Sequence, residues 1–199
     1  MRILILTHPR SGGFSLLSWI SRELGSESYH EPFLNPEHTR AHYNALTRPR
    51  ACVKEDISHL FSVCLDVKDF VSSFDRVIFH LREDHRSAAI SLVRQLESGE
   101  SHEVYEIDDA WIAAREEKIL SKADELRRVT ESIIYQQTLS SLPSIRTSYE
   151  GVYSSGDDIP KICQFLGITD PQWLDIVNPA RRLQNGTPMP PASKKEKLL

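Results

Sequence analysis

Residues 1–15 read Met1-Arg2-Ile3-Leu4-Ile5-Leu6-Thr7-His8-Pro9-Arg10-Ser11-Gly12-Gly13-Phe14-Ser15, and this stretch decides the fold. Ile3 to Leu6 is a short apolar run rich in branched side chains, the pattern of a buried strand. Pro9 ends it, because proline cannot donate to a ladder and holds its predecessor extended. Gly12-Gly13 makes a turn, and Leu16, Leu17, Ile20 and Leu24 then recur on one helical face, with Gly25 as the stop. A strand, a glycine-bearing turn and a helix leave free backbone N–H groups pointing at an anion. The helix dipole adds positive potential there, and Arg10 adds a full charge. The first inference is a phosphate- or sulfate-binding loop; the plainer alternative is a tight turn with no ligand.

Outward from this loop the chain alternates. Ser28 to Phe33 reads as an extended segment halted by Pro32, Pro36 to Leu46 as a helix capped by Asn35, and Ala51 to Glu55 as a strand. Asp75 to Arg82 is a further strand with an apolar centre. It runs into a helix in which Ala89, Leu92, Val93 and Leu96 form one buried stripe, with Ser91 nearly opposite. Asp108 to Leu142 is helical, as one helix or two, and Ser144 to Tyr149 is a last strand. Gly151 to Asp158 reads as a loop, and Ile159 to Leu166 as a short helix closed by Gly167. Strands alternating with helices imply an α/β fold of three layers, α/β/α, around a central and mainly parallel sheet. Residues 1–180 are expected to form a single domain, and residues 181–199 a partly mobile C-terminal tail.

The 199 residues carry 24 Lys and Arg against 28 Asp and Glu, a formal charge of −4. That balance argues against nucleic acid or an anionic membrane surface as partner, so an anionic ligand needs a local basic cluster. Cys52, Cys64 and Cys163 have neither metal-ligand spacing nor the even count of a disulfide framework, and read as reduced core residues of a cytoplasmic protein. No apolar stretch reaches membrane length, and the N-terminal run is too short for a signal peptide. No metal is expected.

In open α/β sheets ligands bind beyond the carboxyl ends of the strands. Arg10 to Gly13, His30-Glu31 and Arg82 all fall there, and their convergence defines the candidate site. The first loop is not a Walker A sequence, which needs a lysine after its last glycine and a hydroxyl for magnesium. ATP or GTP hydrolysis is therefore disfavoured.

Pro9-Arg10-Ser11-Gly12, followed by a hydroxyl residue and Leu16-Leu17, resembles the 5′-phosphosulfate loop of sulfotransferases that use 3′-phosphoadenosine 5′-phosphosulfate (PAPS). The arginine variant is similar to carbohydrate sulfotransferases of bacteria and of the Golgi. Those loops usually continue with two small hydroxyl residues, where this chain has Gly13-Phe14-Ser15. Leu81-Arg82 followed by Ser91 looks like the family's 3′-phosphate element, an arginine ending a strand and a serine on the next helix. A guanidinium grips phosphate with two parallel hydrogen bonds, and a hydroxyl adds a neutral donor. Tyr149-Glu150 and the helix ending at Gly167 resemble a late structural element of the same family.

The resemblance implies a P-loop NTPase-like sulfotransferase fold. It also implies a PAPS-dependent enzyme that moves a sulfuryl group to a carbohydrate or small-molecule hydroxyl and leaves 3′-phosphoadenosine 5′-phosphate (PAP). Arg10, Ser11, Gly12, Gly13, Phe14 and Ser15 would hold the phosphosulfate, Arg82 and Ser91 the 3′-phosphate, and Arg182 in the tail would close over it. Glu31 occupies the place of the family's carboxylate general base, with His30 as competitor. Because neighbouring strand residues point oppositely, only one of these two is expected to face the site. The alternatives are a P-loop-like nucleotide or small-molecule kinase, and a non-catalytic nucleotide-binding protein that keeps the fold.

Overall fold

The computed structural model of the chain describes residues 1–34, 44, 46–63, 66–99 and 108–171. Five parallel strands form one sheet: β1 (Arg2–Thr7), β2 (Glu27–His30), β3 (Ala51–Asp56), β4 (Arg76–Leu81) and β5 (Ser144–Ser148), in the spatial order β2-β3-β1-β4-β5. Register is continuous across the centre, where Leu4 lies between Val53 of β3 and Val77 of β4.

Apolar residues fill both sides of β1, and each side meets different helices. Ile3 and Ile5 point into a core with Leu16, Leu17, Trp19 and Ile20 of α1 (Gly13–Leu24) and with Ile159, Ile162 and Leu166 of α7 (Asp158–Leu166). Leu4 and Leu6 point the other way. They pack with Ile57 and Leu60 of α2 (Ile57–Ser62), Phe70 and Val71 of α3 (Val67–Ser72) and Ile133 of α6 (Glu116–Leu139). A third cluster joins α4 (His85–Ser98) to α6 through Ala88, Ala89, Val93, Ile119 and Leu126, with Trp111 of the short α5 (Asp109–Ala113) against it. This is the three-layer α/β/α arrangement with a wholly parallel sheet.

Several expectations change in detail. Leu96 is 59% exposed; the buried stripe of α4 runs through Ala88, Ala89 and Val93, so the small alanines face α6 and the leucine faces solvent. The helical stretch after Asp108 is two helices, with α5 closing at Ala114 before α6 begins. The expected loop after Gly151 contains instead a π-helical turn at Glu150–Ser154, whose Val152 and Tyr153 are buried. The extended segment from Ser28 ends at His30, because Glu31 turns into the left-handed region at φ 47°. Cys52 is wholly buried, and burial pushes its thiol up to about 12, which leaves it inert. Most of the helix expected at Pro36–Leu46, Cys64, Arg182 and the rest of the tail lie outside the described residues.

Strand order positions the site. The chain leaves β1 for β2 on one flank, returns to β3, and crosses to β4 on the other. The loop after β1 therefore opens at the point where the connections diverge, the crevice that parallel sheets offer to ligands.

Candidate functional site

The loop Thr7–Gly13 is fixed from behind by its own carbonyls. His80, fully buried on β4, donates from Nε2 to the Ser11 carbonyl at 2.8 Å and accepts at Nδ1 from the Thr147 hydroxyl at 2.9 Å. Burial drives its pKa down to about 4, so it is a neutral anchor at pH 7. Tyr153, delivered by the π-helical turn, donates its hydroxyl to the Gly12 carbonyl at 2.5 Å. With both carbonyls engaged, the Gly13, Phe14 and Ser15 N–H groups at the start of α1, which have no acceptor within the helix, also receive no side-chain cap.

The two glycines are required for different reasons. Gly12 has φ 81°, and a Cβ there would stand 2.6 Å from Tyr153 Cε2. Gly13 has an ordinary φ, but its Cβ would lie 2.8 Å from Thr7 Cγ2 and 3.0 Å from Lys54 Cε. The first glycine makes room for the tyrosine clamp, the second for the stem of a lysine on β3.

On the β4 side, three elements bring guanidinium groups together. Arg10 takes a positive φ of 62°, and its side chain crosses to α4, donating from Nε to Ser91 Oγ at 2.8 Å and from Nη1 to Gln95 Oε1 at 3.3 Å. Arg82 donates from Nη1 to the Arg10 carbonyl at 3.3 Å and lies over the Tyr149 ring at 4.3 Å. Burial and the neighbouring charges of Arg82 and Arg94 pull the Arg10 pKa downward. His8 ties the two loops together: its Nδ1 donates to the Pro9 carbonyl, and its Nε2 accepts the Arg82 backbone N–H at 2.9 Å. Burial lowers its pKa, which suits that neutral tautomer. Ser11 Oγ and Arg82 Nε are buried without a hydrogen-bond partner from the protein, which leaves both able to take one from outside the chain.

On the β2 side the charges are already paired. Lys54, with only 6% of its side chain exposed, forms a close ion pair with Glu31. Lys54, foremost among the nearby cations, holds the Glu31 carboxyl below its ordinary range against the opposing effect of burial. His30 Nε2 stands 3.7 Å from the same carboxylate oxygen, and Phe14, 53% exposed, meets the His30 ring edge-on at 4.9 Å.

The structure thus brings Arg10, Ser11, Gly12, Gly13, Phe14, Ser15, Arg82 and Ser91 around one loop, with His30 and Glu31 at its far rim. Two placements differ from the sequence reading. The Arg10 guanidinium lies on Ser91 and Gln95 of α4, because the positive φ swings the side chain off the loop's own axis. His30 and Glu31 do not diverge: strand alternation stops at His30, and both side chains reach the same place. Lys54, His80, His8 and Tyr153 escaped the sequence reading, and Tyr149, expected there only as part of a late structural element, lies under the Arg82 guanidinium. For Lys54 a signal existed, since Lys54-Glu55-Asp56 puts three charges at the carboxyl end of an inner strand.

No protein-family model and no curated protein sequence matches the chain. Solved structures do share its fold. Mouse sulfotransferase SULT7A1, complexed with PAP, superposes with a TM-score of 0.57 at 16% identity over 88% of this chain, which spans 62% of that protein's length. Deoxyadenosine kinase from M. mycoides, with bound dATP, superposes with a TM-score of 0.51 at 17% identity over 84% of this chain and 100% of the kinase. At such identities the likeness is one of architecture: a P-loop-related α/β fold common to a sulfotransferase and a nucleotide kinase. Among the described residues no helix is long and apolar enough to cross a membrane.

Proposed function

We propose that the chain is a PAPS-dependent sulfotransferase acting on a hydroxyl acceptor, a carbohydrate or another small molecule. The observation that carries this reading is the pair of cationic positions beside an anion-binding helix start. Arg10, Arg82 and Ser91 converge on one side of a loop whose N–H groups need no side chain to bind a second anion. A ligand with phosphate at one end and phosphosulfate at the other meets both.

In this reading Arg82, Arg10 and Ser91 hold the 3′-phosphate, and the N–H groups of Gly13, Phe14 and Ser15 hold the 5′-phosphosulfate. The acceptor oxygen attacks sulfur in line as the bond from sulfur to the 5′-phosphate oxygen breaks. That oxygen keeps the electron pair and leaves with PAP. The acceptor's proton passes to the Glu31 carboxylate, with His30 beside it as the alternative base. Backbone donors fixed by His80 and Tyr153 stabilise the charge that builds on the departing oxygen, and they need no reorganisation to do so. Phe14 lies outside this path: its ring is turned onto His30, so the bulky residue in the loop borders the acceptor side.

The test is direct binding followed by transfer. PAP is expected to raise the melting temperature, since a ligand bound only by the native state stabilises it. Labelled PAPS is then expected to sulfate a member of a panel of glycans and small alcohols. No shift at millimolar PAP, with a clear shift from ATP and magnesium, would replace this reading by that of a kinase, the other activity borne by the same architecture.

A further inference from the structure

We propose that Lys54 and Glu31 work as an exchangeable ion pair, in which an anion bound at the start of α1 draws Lys54 away and frees Glu31 to receive the acceptor's proton. The inference rests on the sulfotransferase reading for the proton's origin, but the exchange needs only an anion at the loop.

Three independent features lead to it. The first is position. The loop lacks the lysine that a Walker sequence places after its last glycine, yet a lysine stem lies across that very residue: a Cβ on Gly13 would sit 3.0 Å from Lys54 Cε and 3.2 Å from Lys54 Cγ. The cation that sequence order denies to the loop arrives from the neighbouring strand, β3. The second is burial. Lys54 is almost wholly removed from water, and a buried lysine persists only with a strong partner, here Glu31. The third is backbone geometry. Glu31 holds φ 47°, unusual for a non-glycine residue, and its N–H donates to the Lys54 carbonyl at 2.7 Å while its own carbonyl receives the Leu34 N–H. The backbone bond continues the β2–β3 ladder, and the left-handed turn at Glu31 returns its side chain to the lysine of that same rung, the kind of local strain that collects at working sites.

The charges around Glu31 fix the direction of the exchange. Lys54 of β3 is the dominant cation; His30 of β2 and His59 of α2 add smaller attractions, and His59 is itself engaged by Glu55 Oε1 at 2.9 Å. While Lys54 stays, Glu31 is a weak base, because its negative charge is already answered. A doubly charged phosphate or phosphosulfate beside Gly13 competes for the ammonium through the same low-dielectric space. Once Lys54 turns to that anion, Glu31 loses its main counter-charge and its proton affinity rises. The base is then strongest only with donor in place, which ties proton removal from the acceptor to donor binding.

The experiment is a double-mutant cycle read by the affinity for two probes, PAP and inorganic pyrophosphate, in the full chain. Removing the competitor in Glu31→Gln should tighten both about tenfold, whereas Lys54→Met should weaken both about tenfold or more. In the Lys54→Met background, Glu31→Gln should have no effect. Lys54→Met leaves Glu31 unpaired, so far-UV dichroism and melting are recorded, and Lys54→Met/Glu31→Gln, which removes both charges, serves as the folded reference. A structural role alone predicts equal or weaker binding by Glu31→Gln, and that result overturns the exchange. Pyrophosphate binding with the expected cycle but no PAP binding overturns the sulfotransferase reading and leaves the exchange standing. Failure of both probes to bind the wild-type chain overturns both.

Discussion

The two flanks of the first loop handle charge in opposite ways. Towards α4, Arg10 and Arg82 lie close enough for one to depress the other's pKa, and hydrogen bonds run from them to Ser91, Gln95 and the Arg10 carbonyl. Towards β2, Lys54 is fully answered by Glu31, with His30 adding to the same carboxylate. One flank brings like charges together, which an anion would relieve; the other holds a charge already paired, for which an anion would have to compete. A donor nucleotide has both needs: a handle gripped throughout, and a reacting end whose surroundings change as the reaction proceeds.

The largest expected effect is on the floor that both flanks share. Gly12→Ala places a Cβ 2.6 Å from Tyr153 and a side chain at φ 81°, so overpacking adds to backbone strain. A loss of about 3 kcal/mol is expected, with PAP binding abolished. Chemical denaturation and calorimetry check it; near-wild-type values would mean that the loop is free to take another shape. Next comes the pH dependence of the same floor. His80 has a folded pKa of about 4 against 6.5 when exposed, so the unfolded chain binds the proton first. Its contribution is intact above pH 6.5 and shrinks as pH falls towards 4, by on the order of 3 kcal/mol. His80→Gln keeps a donor for the Ser11 carbonyl and does not titrate. Its stability should therefore fall less between pH 6.5 and 4, and equal slopes would remove His80 from the acid response.

How far these flanks were legible in the sequence follows from the distance between partners. The loop, Arg82 and Ser91 were readable because strand, turn and helix are local patterns, and the parallel sheet followed from their alternation. The left-handed turns at Arg10 and Glu31 were not, because no glycine announces them: the first carries a side chain expected on the loop across to α4, the second undoes the strand alternation expected of His30 and Glu31. Tyr153 meets Gly12 across 141 residues and His80 meets Ser11 across 69, contacts that no window of sequence displays. Lys54 stood in view within a strand, but a charged residue there reads as an edge or an end until the strand is seen to be central. Leu96 failed for the opposite reason: a helical stripe gives a face, and only the neighbouring helix decides whether alanine or leucine occupies its centre.

The smallest effect, and the sharpest on the contrast between flanks, belongs to Arg82. Its guanidinium is half committed already, to the Arg10 carbonyl and the Tyr149 ring, while its buried Nε has no partner. Replacing it with alanine removes one charge-assisted grip, which is worth about 2 kcal/mol, or roughly 30-fold in affinity. If the β4 flank holds the 3′-phosphate, that loss should appear with PAP and be absent with adenosine 5′-phosphate, which lacks the group. Arg82→Lys should recover little, because a point charge cannot reproduce the planar fork or stack on Tyr149 in the same way. Equal losses with both nucleotides would move Arg82 to the 5′ end of the ligand. The loop would then bind through a single cationic centre, and the two flanks would no longer divide the ligand between a fixed end and a reacting one.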